Sequence, residues 1–406
     1  MRQQILVACA CLTLFAAQNK KNPAMAPSPN VLTIPLAGPA LTPAIAVDAQ
    51  GRVTVAWAQQ TGHNPAIFLQ RWNGSKWEAL AGSAENRGAG GTKGEAFNPS
   101  LALDASGEPA IAWQDRTYGN HEIYYRHWSG TAWEAPGASA TEGGLSKTNT
   151  GYSALPSLAF DSHGAPVVAW EELYGSIADV WVRRYDTSLL RRAAWNDLGD
   201  HPGLAGFANK RSRAAYVSLA ADSAGNLGVA WLDNDSGSDQ VQFRRWTGKR
   251  WEELAGSNSN GGVSRSAKPV SSPVLKLESS GAPVLSWKDG SESEATLQVR
   301  RWSGRAWEPV GGSPAEPGCN PVWPALALDP ASRPVVAYRT GSEIRVRRWS
   351  GQSWNPAGTF TWNNPPAYTL PAKRQMAMAS AAGKACVVWV EEGSKPALRA
   401  GCVDLK

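Results

Sequence analysis

Five carboxylates recur at one fixed place in this chain. Asp115, Glu172, Asp233, Asp289 and Glu391 each stand two residues beyond a Trp, while Gln59 and Thr340 take the same place after Trp57 and Tyr338. Carboxylates spaced in this way can accept hydrogen bonds from Arg on a neighbouring strand, or accept hydroxyl protons from a polyhydroxylated ligand. An opposed pair with one pKa raised can act as acid and base. Two of them have aromatic company: "DRTYGNHE" (115–122) and "EELYGSIAD" (171–179) set Tyr118 and Tyr174, each followed by Gly, just after the acid. An aromatic face beside carboxylates suits a ligand with C–H bonds on one side and hydroxyls at its edge. The plainer reading is hairpin-turn chemistry with exposed Tyr. His121 reads as a turn residue rather than a catalyst. Trp323, in "GCNPVWP" (318–324), reads as a long-loop residue, either a stacking platform or an anchor. "ANKRSR" (208–213) is the densest basic patch, a solvated loop or a contact for an anionic ligand. Neither zinc spacing of Cys and His nor an Asp-x-Asp-x-Asp-Gly loop is present, so neither a metal nor a cofactor is expected.

These residues are positioned by a repeat. The turn Asp-x-x-Gly starts at Asp48, Asp104, Asp161 and Asp222, with Glu at 278 and degenerate copies at Asp329 and Ser380, at spacings of 56, 57, 61, 56, 51 and 51. Nine residues after each first residue comes an aromatic: Trp57, Trp113, Trp170, Trp231, Trp287, Tyr338 and Trp389. Each copy predicts four short strands: an apolar segment such as "PSLALD", the turn, a second strand such as "PVVAW", a third such as "IRVRRW", and a fourth opened by Trp. "VRRWSGRAWEPVGG" (299–312) carries the last two, with a Gly-containing turn between paired Trp. Seventeen of the twenty Trp fall at three repeat positions, which argues for packing between sheets, away from solvent, rather than ligand cages. The Arg before the first Trp of each pair is expected to stack on a neighbouring ring.

Copies one to six have four strands each; the seventh ends after its third, at "ALRAGCVDLK". An orphan strand, "VLTIPLAG" (31–38), ends like the fourth strands and completes the last sheet. The chain thus resembles the seven-bladed β-propellers over 31–406, an all-β fold whose two termini share a blade and leave no open edge. It is most similar to secreted bacterial propellers of the lectin-like and sialidase-like groups. The Gly-His and Trp-Asp signature of Trp-Asp repeats and the sialidase Asp-box are absent, and the kelch di-glycine is out of place.

In an up-and-down meander the invariant turns pave one face. The longer second-to-third and fourth-to-first links emerge on the other, where function is expected. Apolar content of 42% and a net charge of +6, spread along 406 residues, fit a folded domain and imply no nucleic-acid partner. Residues 1–17 read as an export leader too short to span a bilayer, followed by a Pro-rich linker over 18–30. "LVAC" resembles a lipobox with Cys9 as the lipidated residue. Cys386 and Cys402 fall on neighbouring strands, bridged if the compartment is oxidising and reduced core thiols otherwise. The expectation is an exported, non-catalytic propeller that binds a ligand, a glycan being the best candidate, on its long-link face. The alternatives are a glycoside hydrolase or lyase on the same frame, and an envelope scaffold. A sialidase would need three converging Arg and an activated Tyr, and the repeated Arg supply no such set.

Overall fold

The computed structural model describes residues 31–405 apart from 37, 63, 149–150, 188–192, 200–212, 223, 260, 292–293, 364, 366–373 and 394–395. The expected leader, linker and Cys9, and nearly all of the basic patch, lie outside the described residues. The chain forms seven four-stranded antiparallel sheets. Six run in sequence order. In the seventh, Val31–Pro35 pairs with Ala397–Asp404, Val31 opposite Gly401 and Pro35 opposite Ala397. The innermost strands of adjacent blades touch all the way round, blade seven against blade one included. The ring closes as the count of strands requires.

The apolar side chains lie in layers between neighbouring blades rather than in one central core. The second-strand aromatic of each blade faces the blade before it. Trp113 packs with Ile67 and Leu69 of blade one, and Trp170 with Ile123 and Tyr125 of blade two. Trp57, Trp113, Trp170, Trp231, Trp287, Tyr338 and Trp389 are all buried. Large aromatics suit these wedge-shaped layers because each removes much apolar area from water.

The Asp of the Asp-x-x-Gly turn caps its own hairpin. Asp104 Oδ1 accepts from the backbone N–H of Ser106 at 2.8 Å and of Glu108 at 2.9 Å, and the same pair of bonds recurs at Asp48, Asp161, Asp222 and Asp329. In blades five and six the Arg before the first Trp reaches this acid instead of a ring, Arg301 meeting Glu278 at 2.5 Å and Arg348 meeting Asp329 at 2.7 Å; Arg184, before Tyr185, meets Asp161 at 2.6 Å, while Arg71 reaches Glu108 in the next blade's turn at 3.1 Å. It is the preceding Arg that lies over an indole, Arg183 over Trp170 at 5.8 Å and Arg300 over Trp287 at 5.6 Å. A strand's alternation accounts for the exchange, since consecutive Arg point to opposite faces of the sheet.

Each Trp pair is a cross-strand pair with ring centroids 5.2–5.8 Å apart. The pairs sit nearer solvent than their repetition implied: Trp302 and Trp307 are half-buried, one ring covering the other at the outer strand. The second indole ties two blades together. Trp133 Nε1 donates to Leu80 O at 2.9 Å, Trp307 Nε1 to Leu254 O at 3.0 Å and Trp354 Nε1 to Val310 O at 3.0 Å.

Three long links are pinned in a common way. Gly88, Gly144 and Gly262 have φ near +60°, and a Cβ there would overlap the carbonyl oxygen of Ile67, Ile123 or Val241 on the third strand beneath. The next residues are held from above, Ala89 O by Arg126 Nη1 at 3.3 Å and Val263 O by Arg300 Nη1 at 2.5 Å. Cys386 and Cys402, directly opposite in register, form a disulfide within blade seven.

Candidate functional site

The innermost strands surround a central cavity of about 240 Å³. Six of them carry a β-bulge, and at each bulge one non-Gly residue takes a left-handed backbone: Thr42, Asn98, Leu155, Tyr216, Ser272 and Trp323, with φ between 48° and 57°. Such residues cost about 1–3 kcal/mol each and persist where the surroundings over-determine them. Thr42, Asn98, Leu155 and Tyr216 line the cavity at its long-link end.

Blades two and three build a polar cluster at this rim. Gln114 is its hub. Its Oε1 accepts from Asn98 Nδ2 at 2.8 Å and Leu155 N at 3.3 Å, while its Nε2 donates to Tyr152 OH at 3.2 Å and lies 3.3 Å from His121 Nδ1. The His121 and Tyr152 rings are 4.4 Å apart, tilted by 43°. Tyr152 is exposed. Burial, with Arg116 beside it, holds His121 below the ordinary histidine pKa, so the ring is neutral at pH 7. His121 therefore belongs to a packed network at the cavity rim, not to a bare turn. A half-buried neutral imidazole against an exposed phenol supplies a proton acceptor and a proton donor side by side.

The recurrent acids lie on the expected face but beneath its links. Asp115 is 0% exposed, accepting from Thr92 Oγ1 and, at 2.7 Å, from Thr117 N. Glu172, also buried, accepts from Ser153 Oγ at 2.6 Å and Trp170 Nε1 at 2.9 Å. Burial pushes its pKa up to about 7, with Glu122 nearby adding to the rise. Asp233 caps the turn at Asp235 N at 2.8 Å, and Asp289 takes Ser266 Oγ at 2.8 Å. Glu391 pairs with a third-strand Arg, Arg399, at 2.8 Å. The acids satisfy loop hydroxyls and backbone donors and form no open ring. Tyr118 and Tyr174 are exposed at 61% and 42%, so the aromatic part of the expected platform reaches solvent while its carboxylates are covered.

Trp323 is neither on a loop nor open. It lies in the strand Val322–Leu328, 3% exposed, packed on Trp362 at 5.6 Å with the Arg339 guanidinium over both rings. Among the described residues no group of three or more His, Cys, Asp or Glu is arranged to hold a metal ion. No described helix is long and apolar enough to cross a membrane.

The recurrent acids hold the position two beyond the second-strand aromatic. The position one beyond it reaches the following blade. There stand Gln114, bonded into blade three; Glu171, which accepts from Tyr216 N in blade four; and Lys288, which donates to Asn320 Oδ1 at 2.9 Å. The usable signal was the break in symmetry: polar residues where other copies have Ala58, Leu232 and Val390, and Tyr152 at a place held elsewhere by Pro39, Glu95, Arg213, Pro269 and Asn320.

No protein-family model matches the chain, and no curated protein matches it in sequence. Solved structures share the fold. A polysaccharide lyase, Uly1, superposes with a TM-score of 0.55 at 8% identity over 89% of this chain and 90% of its own. A PL25 ulvan lyase bound to -[GlcA(1-4)Rha3S]- gives 0.53 at 11% identity over 93% and 95%. The α-L-arabinanase of Penicillium chrysogenum with arabinobiose gives 0.50 at 12% over 93% and 99%. At such identities the likeness is one of architecture alone, a β-propeller fold shared with these polysaccharide lyases and this arabinanase.

Proposed function

We propose that this protein is an exported carbohydrate-active propeller that takes a polysaccharide across its long-link face and cleaves it by elimination at the rim of blades two and three. The observation that carries the reading is the contact of His121 with Tyr152, both held by Gln114. In a uronate-containing chain, neutral His121 turns its Nδ1 from the Gln114 amide to the substrate and there takes the proton on the carbon next to the carboxyl group. The electron pair forms a carbon–carbon double bond, the glycosidic C–O bond breaks, and Tyr152 protonates the leaving oxygen. No water is consumed. Tyr118 and Tyr174 offer rings to the apolar faces of flanking sugars. Elimination is favoured over hydrolysis because Asp115, Glu122 and Glu172 are covered and already hold several donors. Structural neighbours that act on acidic and neutral polysaccharides support the substrate class, and the disulfide supports export.

The test is incubation with acidic polysaccharides, ulvan among them, and with neutral arabinan, following unsaturated uronate by ultraviolet absorbance and new reducing ends by a colour assay. Unsaturated product, lost in His121→Ala with folding intact, supports the reading. Reducing ends without unsaturation would replace elimination by hydrolysis. Binding without turnover would make the protein a non-catalytic glycan binder, and neither binding nor turnover would favour the scaffold.

A further inference from the structure

The central cavity carries charge that the rim chemistry does not use. Lys276 lines it from the innermost strand of blade five, Val270–Leu277. The same place in the other six copies holds Ala46, Ala102, Ala159, Ala220, Ala327 and Met378, so one Lys interrupts a ring of small or apolar residues. Arg374 enters from blade seven, its Nη2 donating to Pro273 O at 3.4 Å across the cavity. Both keep some solvent contact through the cavity, yet protein surrounds them. Among the described residues, Lys276 has neither hydrogen bond nor ion pair, and burial holds its pKa down. The groups facing Arg374 are Tyr216 and Glu171. Glu171 accepts from Tyr216 N and is itself influenced by Arg213; burial pushes it up to about 7, so it offsets only part of the positive charge. Hydroxyls of Thr42, Ser100, Ser157 and Ser218 stand on the same wall, and those of Ser100, Ser157 and Ser218 already accept a backbone N–H from the next blade.

An ammonium largely surrounded by protein and without a partner is costly. Here that ammonium lines the same cavity as a guanidinium and the hydroxyls of four blades, groups that together suit an anion. We propose that the central cavity is an oxyanion site in which Lys276 and Arg374 hold a carboxylate or sulfate group. The cavity is large enough for an anionic group or a sugar ring. The inference deepens the saccharide reading by naming where, away from the rim, an anionic group of the ligand is held. It rests on that reading only for the source of the anion, and it needs no catalysis.

The experiment measures thermal unfolding of the wild type, Lys276→Met and Lys276→Arg with sodium sulfate, sodium glucuronate, an acidic ulvan oligosaccharide and glucose, each against sodium chloride of equal ionic strength. Without added anion, Lys276→Met melts at or above the wild type, because the enclosed charge is gone. The wild type gains melting temperature with the logarithm of anion concentration; Lys276→Arg keeps this gain and Lys276→Met loses it. Stabilisation by sulfate or glucuronate assigns a site for free anions. Stabilisation by the oligosaccharide alone, lost in Lys276→Met, assigns a pendant group of the chain. No gain over chloride with any of the anions, or a gain unchanged in Lys276→Met, overturns the proposal whether or not polysaccharide is cleaved. Absence of cleavage with anion binding intact leaves the oxyanion site standing and removes only the elimination chemistry.

Discussion

His121 and Tyr152 come from different blades, yet their rings lie 4.4 Å apart. His121 ends the second-to-third link of blade two; Tyr152 opens the innermost strand of blade three. Gln114 brings them together from the strand between, and its other end holds the bulge residues Asn98 and Leu155. The pair is thereby fixed to the cavity wall.

Because burial lowers the pKa of His121, the imidazole loses its proton below the ordinary value of 6.5. Activity that needs neutral His121 rises with pH on a limb centred below 6.5 and is flat at neutrality. Tyr152→Phe should lower kcat by about 10²–10⁴-fold, the range for losing a general acid, with a far smaller change in binding. Gln114→Ala should move the acid limb toward 6.5 as the network opens. A pH–rate profile for the wild type and the two variants checks both.

Glu172 is held up at about 7 by burial. Between 4.5 and about 7 the folded protein therefore binds more protons than the unfolded chain, and this residue makes stability fall as pH rises through that window. Glu172→Gln keeps the acceptor for Ser153 and Trp170 and abolishes the titration. It should gain on the wild type by on the order of 2 kcal/mol from pH 4.5 to pH 8, read from urea unfolding at the two pH values.

Removal of residues before Leu41 takes away the strand that pairs with Ala397–Asp404 and the buried Ile34. It should lower the melting temperature of the whole domain, since every inter-blade layer depends on a closed ring. Ile34→Ala alone should cost about 2–5 kcal/mol. A truncated chain that melts with the full one would refute the dependence of the ring on this strand.

Trp307→Phe keeps an aromatic ring against Trp302 but loses the N–H bond to Leu254 O. The expected cost is about 1 kcal/mol. Trp307→Ala also loses the ring and should cost about 2–3 kcal/mol, at the low end for aromatics because the site is half-buried. Denaturant titration separates the two.

Reduction of the Cys386–Cys402 disulfide, which spans a separation of 16 residues, should destabilise by about 3 kcal/mol. Paired melts with and without a thiol reductant measure it; Cys386→Ala/Cys402→Ala should melt like the reduced form.

The sequence by itself determined the ring. A turn with one invariant offset to an aromatic, and an orphan strand that matches the missing fourth strand, leave a closed seven-bladed propeller as the arrangement that satisfies every strand edge. Those signals are local or periodic, and periodic signals survive translation into structure because each blade repeats the same contacts. The tertiary structure decided everything that breaks the repeat. Asp115 and Glu172 looked available because strand ends are usually solvated; the link pinned by Gly88 brings Thr92 to Asp115, and the innermost strand of blade three brings Ser153 to Glu172. Trp323 looked like a loop residue because Pro324 follows it, but a bulge carries the strand through and turns the ring into the layer between blades six and seven. Gln114, His121 and Tyr152 are 7 and 38 residues apart along the chain as seen from Gln114. Lys276 and Arg374 come from blades five and seven. Their meeting depends on how neighbouring blades are set against one another around the axis, which spacing along one chain does not encode.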